Sequence, residues 1–321
     1  MTTSTAPSAA PAAGRIDALR PAAGYRYEDR DIVVLRRRPA GPAGPERCIG
    51  RTPHFTLGRD DGRLVVVHDL AAADVHNGIG DLLVDELFTP GWAVGADTFE
   101  RLFTGLVLTS HHDPLAAWEL FYRNSLHRLD QDASPDAGES AGVGVFSQIY
   151  RRAEQLISAI AAGSVLDVGT CFGFLPLRLR SGSAGPVQTV IASDVQAGTT
   201  HLLDQVSRRL ARQVRTLTCD AARIPLGDEC VDVVTVLHLL EHVDAAHGGR
   251  IIDEALRIAR RRVVIAVPLE DGPESTYGHV RQITTGDLRA MAVGRPGWIG
   301  AVSEFHGGWL VLDRIAPVNR C

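Results

Sequence analysis

The residues best able to do chemistry begin in the run Gly163-Ser-Val-Leu-Asp-Val-Gly-Thr-Cys-Phe-Gly-Phe-Leu-Pro-Leu-Arg-Leu179. It holds one acid, Asp167, inside a short apolar strand-like segment, Val165 to Val168. Gly169 and Gly173 relax the backbone after it, and Pro176 falls where the first turn of a helix accepts proline. Such a strand–turn–helix aims unsatisfied helix N–H groups at whatever lies above the strand's C-terminal end. A dinucleotide fingerprint would need G-x-G-x-x-G, but its second and third glycine places hold Cys171 and Phe174. Further acids close later apolar runs. Asp194 ends Val187-Gln-Thr-Val-Ile-Ala-Ser193, where a carboxylate can accept bonds from both hydroxyls of a ribose, and Asp220 opens Asp-Ala-Ala-Arg-Ile-Pro-Leu226. His238-Leu-Leu-Glu241-His242 spells the inverted zinc-peptidase pattern. That chemistry needs one helix presenting both histidines to a metal, whereas this segment follows the buried run Val231 to Leu237. His242 and His279 are candidates for proton transfer because imidazole titrates near neutrality, and Glu241 stands beside the first of them. Arg281 accompanies His279.

Short apolar strands alternating with helices must position these groups. The pattern predicts strands at Val165–Val168, 187–193, 214–219, 231–237 and 263–267, with helices at 146–161, 200–212 and 251–259 between or before them. This is an α/β, Rossmann-like, doubly wound and mostly parallel sheet. The stretches 298–305 and 309–315 around Gly307-Gly308 add a closing antiparallel hairpin. An N-terminal mixed α+β extension precedes the sheet. It carries a strand at 31–35, a hairpin around Asp60-Asp61-Gly62, and helical segments through Leu82–Phe88, Phe99–Leu106 and Pro114–Leu129. The organisation predicted is a disordered tail over 1–24, a mixed unit over 25–130 that serves as a lid or dimer contact, a linker over 131–145 and the sheet domain over 146–321. Trp92, Trp118 and Tyr122 are expected in the core, with stacking on a ligand as the alternative. His111-His112-Asp113 before Pro114 reads as a helix start, not a metal site.

The Asp-Val-Gly-x-x-x-Gly turn, the acid at 194, the Cys219-Asp-Ala-Ala-Arg-Ile-Pro-Leu segment and the Glu241-His242 exit occur in the order seen in class I S-adenosylmethionine (SAM) methyltransferases, and this chain resembles that family. Cys171 replaces the family's usual middle glycine. The resemblance implies that Gly169, Thr170, Cys171 and Gly173 hold the methionine half of SAM, with Asp167 beneath its ammonium. Asp194 and Val195 would then meet the ribose, Asp220 the adenine amino group with the Ala221 backbone beside it, and His238 the cofactor loop. Tyr150, on the preceding helix, is implied at the cofactor carboxylate. The catalytic candidates are His242, His279 and Glu241, and S-adenosylhomocysteine (SAH) is the product. No metal ligand is assigned; a divalent metal is possible but not expected.

A narrower resemblance rests on His111-His-Asp-Pro-Leu-Ala-Ala-Trp-Glu-Leu-Phe-Tyr122 and Ser164–Phe174, which look like the actinobacterial methyltransferases of mycofactocin biosynthesis. It implies O-methylation of a glucose in an oligosaccharide acceptor. The alternatives are a quinone, polyketide or other small-molecule acceptor, or a SAM-binding protein without catalysis. Composition sets outer bounds. The net charge is −5, which disfavours a nucleic-acid partner, and all 33 basic residues are arginine, a codon-bias signature of GC-rich bacteria. Five cysteines without C-x-x-C spacing suit a reducing cytoplasm. No run is long and apolar enough to span a bilayer, so no membrane partner is expected; the sequence is silent on oligomeric state.

Overall fold

A computed structural model describes residues 16–22, 25–37, 45, 47–131, 143–181, 187–270, 272 and 278–315. The first half is built on a five-stranded sheet in the order β1-β2-β5-β4-β3. Its strands are β1 (Arg26–Glu28), β2 (Ile32–Arg36), β3 (Cys48–Arg51), β4 (Phe55–Asp60) and β5 (Arg63–His68). β4 and β5 form the expected hairpin, and β2 runs parallel to β5. A helical turn α1 (Ile79–Leu83), continued by a π turn over Val84–Phe88, leads to α2 (Ala96–Leu108) and α3 (Pro114–Gln131). Asp113 caps α3: its Oδ1 accepts from the amides of Leu115 (2.9 Å) and Ala116 (3.3 Å), so the helix start read at His111–Asp113 is present. Trp118 and Tyr122 are buried in this core, as their helical spacing predicted.

The second half holds a seven-stranded sheet, ordered β11-β12-β10-β9-β6-β7-β8. Helix α4 (Val143–Ser158) enters it, followed by β6 (Ser164–Val168), α5 (Phe174–Leu179), β7 (Thr189–Asp194), α6 (Ala197–Arg209) and β8 (Arg215–Thr218). Then come β9 (Val231–Leu237), α7 (Ala245–Ile258), β10 (Ala259–Val267), α8 (Thr285–Ala292) and the hairpin β11 (Trp298–Glu304)–β12 (Gly308–Arg314). Strands β10, β9, β6, β7 and β8 are mutually parallel, and β12 joins β10 antiparallel. This is the doubly wound sheet with a terminal hairpin that the alternating pattern predicted. Alternate side chains of each strand enter opposite layers: Val165, Val190, Val233 and Val264 pack with α4–α6, whereas Leu166, Ile191, Val234 and Ile265 pack with α7 and α8. The first layer is continuous with the core of the N-terminal half.

Several details depart from the reading of the sequence. β10 begins at Ala259, ahead of Val263, because an irregularity in its pairing with β9 carries the strand across Arg260 and Arg261. The short polar strands β1 and β3 had no apolar alternation to signal them, and α8 is a two-turn helix set by the Thr284/Asp287 capping box. Part of the segment expected to be disordered is held in place. Ala22 is buried, and the Trp118 indole N–H donates to the Ala18 carbonyl at 2.6 Å. Most of the tail (1–15, 23–24) and of the expected linker (132–142) lies outside the described residues.

Candidate functional site

Loops leave β6 and β9 at the point where the strand order reverses, the place where open α/β sheets bind ligands. Asp167 sits in β6 directly opposite Thr235 of β9. Its carboxylate accepts from Thr235 Oγ1 at 2.6 Å and Thr170 Oγ1 at 2.7 Å, and only 5% of the residue is exposed. Burial pushes its carboxyl up to about 6, although both hydroxyls favour the ionised form and Asp194 opposes it. Thr235 was missed in the sequence; the signal was a lone hydroxyl in an apolar strand at the register that faces an acid.

The turn after β6 has a left-handed backbone at three positions: Gly169 (φ 69°), Cys171 (φ 49°) and Gly173 (φ 68°). At Gly173 a Cβ would also lie 2.5 Å from Leu203 Cδ2, so glycine is required twice over. Cys171 thus adopts the conformation for which glycine is the usual solution, a local strain of the kind that clusters at functional sites. Its amide donates to Asp194 Oδ2 at 3.1 Å, while the Gln196 amide donates to Oδ1 at 2.8 Å. Asp194, at the C-terminal end of β7, is thereby tied to the turn. Burial raises its carboxyl above the ordinary value even against these amides. Val195 follows it, exposed. Asp220 is held by the Ala222 amide (2.8 Å) and by His247 Nε2 (3.0 Å), which keep its carboxyl below the ordinary range; Ala221 packs on the adjoining core. The His247 partner comes from α7 and had no sequence signal.

Tyr150 stands beside the turn, its ring 6.4 Å from Phe174, and burial raises its phenol far above the usual value, with the nearby Asp167 adding to the rise. Phe172 points the other way. Its ring lies 5.3 Å from Phe103 of α2 and 5.3 Å from Phe121 of α3, so the N-terminal half grips the tip of the turn.

The exit of β9 builds a second cluster. His238 has φ 51°, and its amide donates to the Ala266 carbonyl. A single 3-10 turn, Leu240–His242, follows in place of the helix that a zinc-peptidase motif requires. Glu241 is 1% exposed. His242 reaches solvent, yet the packing around its ring holds the imidazole below its usual value, with Glu241 pulling upward. His279 packs edge-on against it at 4.8 Å between ring centroids, and His279 Nδ1 meets Glu270 Oε2 at 2.9 Å. Ligating atoms of Glu241, His242 and His279 all lie within 4.8 Å of one another. Arg281, by contrast, is a brace: its Nε donates to the Leu240 carbonyl at 3.0 Å. Ala96, at the start of α2, borders the same cluster, 3.8 Å from where a Cβ of Gly278 would stand. The structure thus gathers Asp167, Gly169, Thr170, Cys171, Gly173, Asp194 and Tyr150 at one end, and Glu241, His242 and His279 at another, with His238 between Glu241 and Phe146.

Residues 166–267 match the family model described as a methyltransferase domain. No curated protein matches the chain. Similar solved structures include magnesium protoporphyrin IX methyltransferase from Synechocystis PCC 6803 with bound SAH, at 20% identity over 59% of this chain and 94% of that one (TM-score 0.44). Another is a SAM-dependent methyltransferase from Aquifex aeolicus, at 18% identity over 59% of this chain and 97% of that one (TM-score 0.42). The matched segment runs from Leu166 in β6 to the end of β10 and contains the turn, Asp194, Asp220, Glu241 and His242, while Tyr150 and His279 lie outside it; it has the class I SAM methyltransferase fold. The chain therefore carries a methyltransferase domain over these residues, which supports a methyl-transferring enzyme. Among the described residues no helix is long and apolar enough to cross a membrane.

Proposed function

We propose that this methyltransferase moves the methyl group of SAM to a glucose hydroxyl of the oligosaccharide carried by mycofactocin. The observation that carries the methyl-transfer part is the buried Asp167 and the half-buried Asp194, at the ends of adjacent strands and joined by a turn with a left-handed backbone at three positions. In this reading the turn from Gly169 to Gly173 cradles the methionine half, Asp167 faces the ammonium and Tyr150 the carboxylate. Asp194 bonds the ribose hydroxyls next to Val195, and Asp220 with the Ala221 backbone takes the adenine. His238 supports the loop beneath the reacting methyl.

SAM supplies the reactivity through its sulfonium. The carbon–sulfur bond breaks with its electron pair passing to sulfur, a carbon–oxygen bond forms, and neutral SAH leaves. The protein's share is to hold the acceptor oxygen in line with the methyl and to receive the hydroxyl proton. His242, kept neutral by its surroundings, is the first receiver and His279 the second, with Glu241 stabilising the charge that develops. The glucose acceptor rests on the resemblance carried by His111–Tyr122 and Ser164–Phe174. A cytoplasmic location fits the cysteine pattern.

The test is mass spectrometry of mycofactocin from the host strain with and without this gene. The reading expects glycosylated species that lose one methyl on deletion and regain it with the intact gene but not with Asp194→Ala. Unchanged methylation removes the mycofactocin assignment and leaves a SAM methyltransferase with a quinone, polyketide or other small-molecule acceptor.

A further inference from the structure

Glu241 poses a problem that the proton-transfer reading does not resolve. The residue is 1% exposed, and neither oxygen of its side chain has a hydrogen-bond partner among the described residues. A carboxylate stripped of water is normally paired, hydrogen-bonded or bound to a cation. His238 Nδ1 lies 3.3 Å from Oε1, but without hydrogen-bond geometry. The Arg281 Nε donates to the Leu240 carbonyl and the guanidinium makes no ion pair with the acid, although its Nη2 is buried and also has no hydrogen-bond partner among the described residues. The groups that do share space with the carboxylate are the imidazoles of His242 and His279.

We propose that Glu241, His242 and His279 bind one divalent first-row transition cation. Three ligands each about 2.0–2.2 Å from a common ion stand roughly 3–4 Å apart. The three ligating atoms here are already within 4.8 Å of one another, so closure is a matter of side-chain rotation. One carboxylate and two imidazoles are a donor set for zinc, cobalt, iron or manganese; magnesium and calcium prefer oxygen alone. Glu270 supplies the outer partner that metal-bound histidines usually have. Its Oε2 meets His279 Nδ1 at 2.9 Å and so orients the ring. Three protein ligands leave coordination positions open, and His242 at the solvent edge gives an entry path.

The catalytic consequence rests on the methyl-transfer reading; the binding itself does not. A cation at this cluster lowers the pKa of an acceptor hydroxyl bound to it, so the proton leaves to solvent water and the two imidazoles act as ligands in place of proton receivers. The carbon–sulfur and carbon–oxygen bond changes stay as described.

The test uses the full, untagged chain, freed of metal by chelator and titrated with Co²⁺. Visible absorption and calorimetry read the cation, and calorimetry with SAH is run on the same samples. One bound Co²⁺ per chain is expected, with a Kd below about 1 mM. Glu241→Gln and His279→Ala should each weaken Co²⁺ binding at least about tenfold, and Glu270→Gln about tenfold through the outer partner. His127→Ala, at an exposed imidazole on α3, should leave it unchanged. SAH affinity near that of the wild type certifies that a variant is folded; if Glu241→Gln does not fold, the solvent-side His242→Ala and His279→Ala carry the comparison. No Co²⁺ binding by wild type, or equal binding by folded variants, overturns the inference while intact SAH binding preserves the proposed function. Failure of wild type to bind SAH overturns that function and leaves the cation site standing.

Discussion

The two ends of the site treat their acids in opposite ways. At the cofactor end each of these acids is hydrogen-bonded within the protein and keeps acceptor capacity to spare: Asp167 accepts from two threonine hydroxyls, Asp194 from the amides of Cys171 and Gln196. At the acceptor end Glu241 is more deeply buried than either and has no hydrogen-bond partner among the described residues. The first arrangement is preorganised, since its polar groups stay in place before anything binds. The second is incomplete until something joins it. On the proposed reading the contrast separates binding from activation: one end would recognise a constant cofactor, the other would change the acidity of an acceptor.

The comparison is broken most severely by removing the histidines. The double substitution His242→Ala/His279→Ala should cut turnover by about 10²–10⁴-fold at saturating acceptor, whichever role the imidazoles play. SAH affinity measured by calorimetry should stay within about threefold of wild type, because the loss falls on the activating end alone. Asp194→Ala is the converse. Losing charged-acceptor bonds worth about 1.5–3 kcal/mol each should weaken SAH by about 100-fold or more. Unaltered SAH affinity would dissolve the assigned division of labour.

A smaller effect separates the two ends by pH. The Asp167 carboxyl in the folded protein is raised to about 6, above its unfolded value, so ionising it in the absence of ligand costs stability as pH rises through that window. A ligand ammonium reverses the sense, because it needs the ionised form and competes with the proton. SAH affinity should therefore be flat above about pH 6 and fall by up to about tenfold per pH unit below it, with Asp167→Asn abolishing the slope. A slope of the opposite sign would remove Asp167 from the ammonium site. The smallest effect is Phe172→Ala, which acts on the proposed cofactor site only through the turn and should weaken SAH by about three- to tenfold without changing turnover at saturation.

The two ends also differed in how far the sequence disclosed them. The cofactor end is local: an acid in an apolar strand, glycines at the turn and another acid at the next strand end can be read from spacing, and the parallel sheet follows from alternation. Its supports were less visible, because Thr235 on Asp167 and His247 on Asp220 arrive across strand pairing and from a distant helix. The acceptor end joins residue 241 to residue 279 across β10, and no periodicity relates them. The histidines were named singly, but that they converge on one orphaned carboxylate is a fact of tertiary packing. The Cys171 exception was legible as a missing glycine; that cysteine keeps glycine's left-handed backbone was not.

Phe172 has a thermodynamic consequence beyond its place in the turn. Because its ring is held among Phe103, Phe121 and Trp118, ordering the cofactor loop and docking the N-terminal helices draw on one shared equilibrium. A ligand that selects the ordered loop must then stabilise helices it never touches. Saturation with SAH should slow amide hydrogen exchange in α2 and α3, and Phe172→Ala should uncouple them.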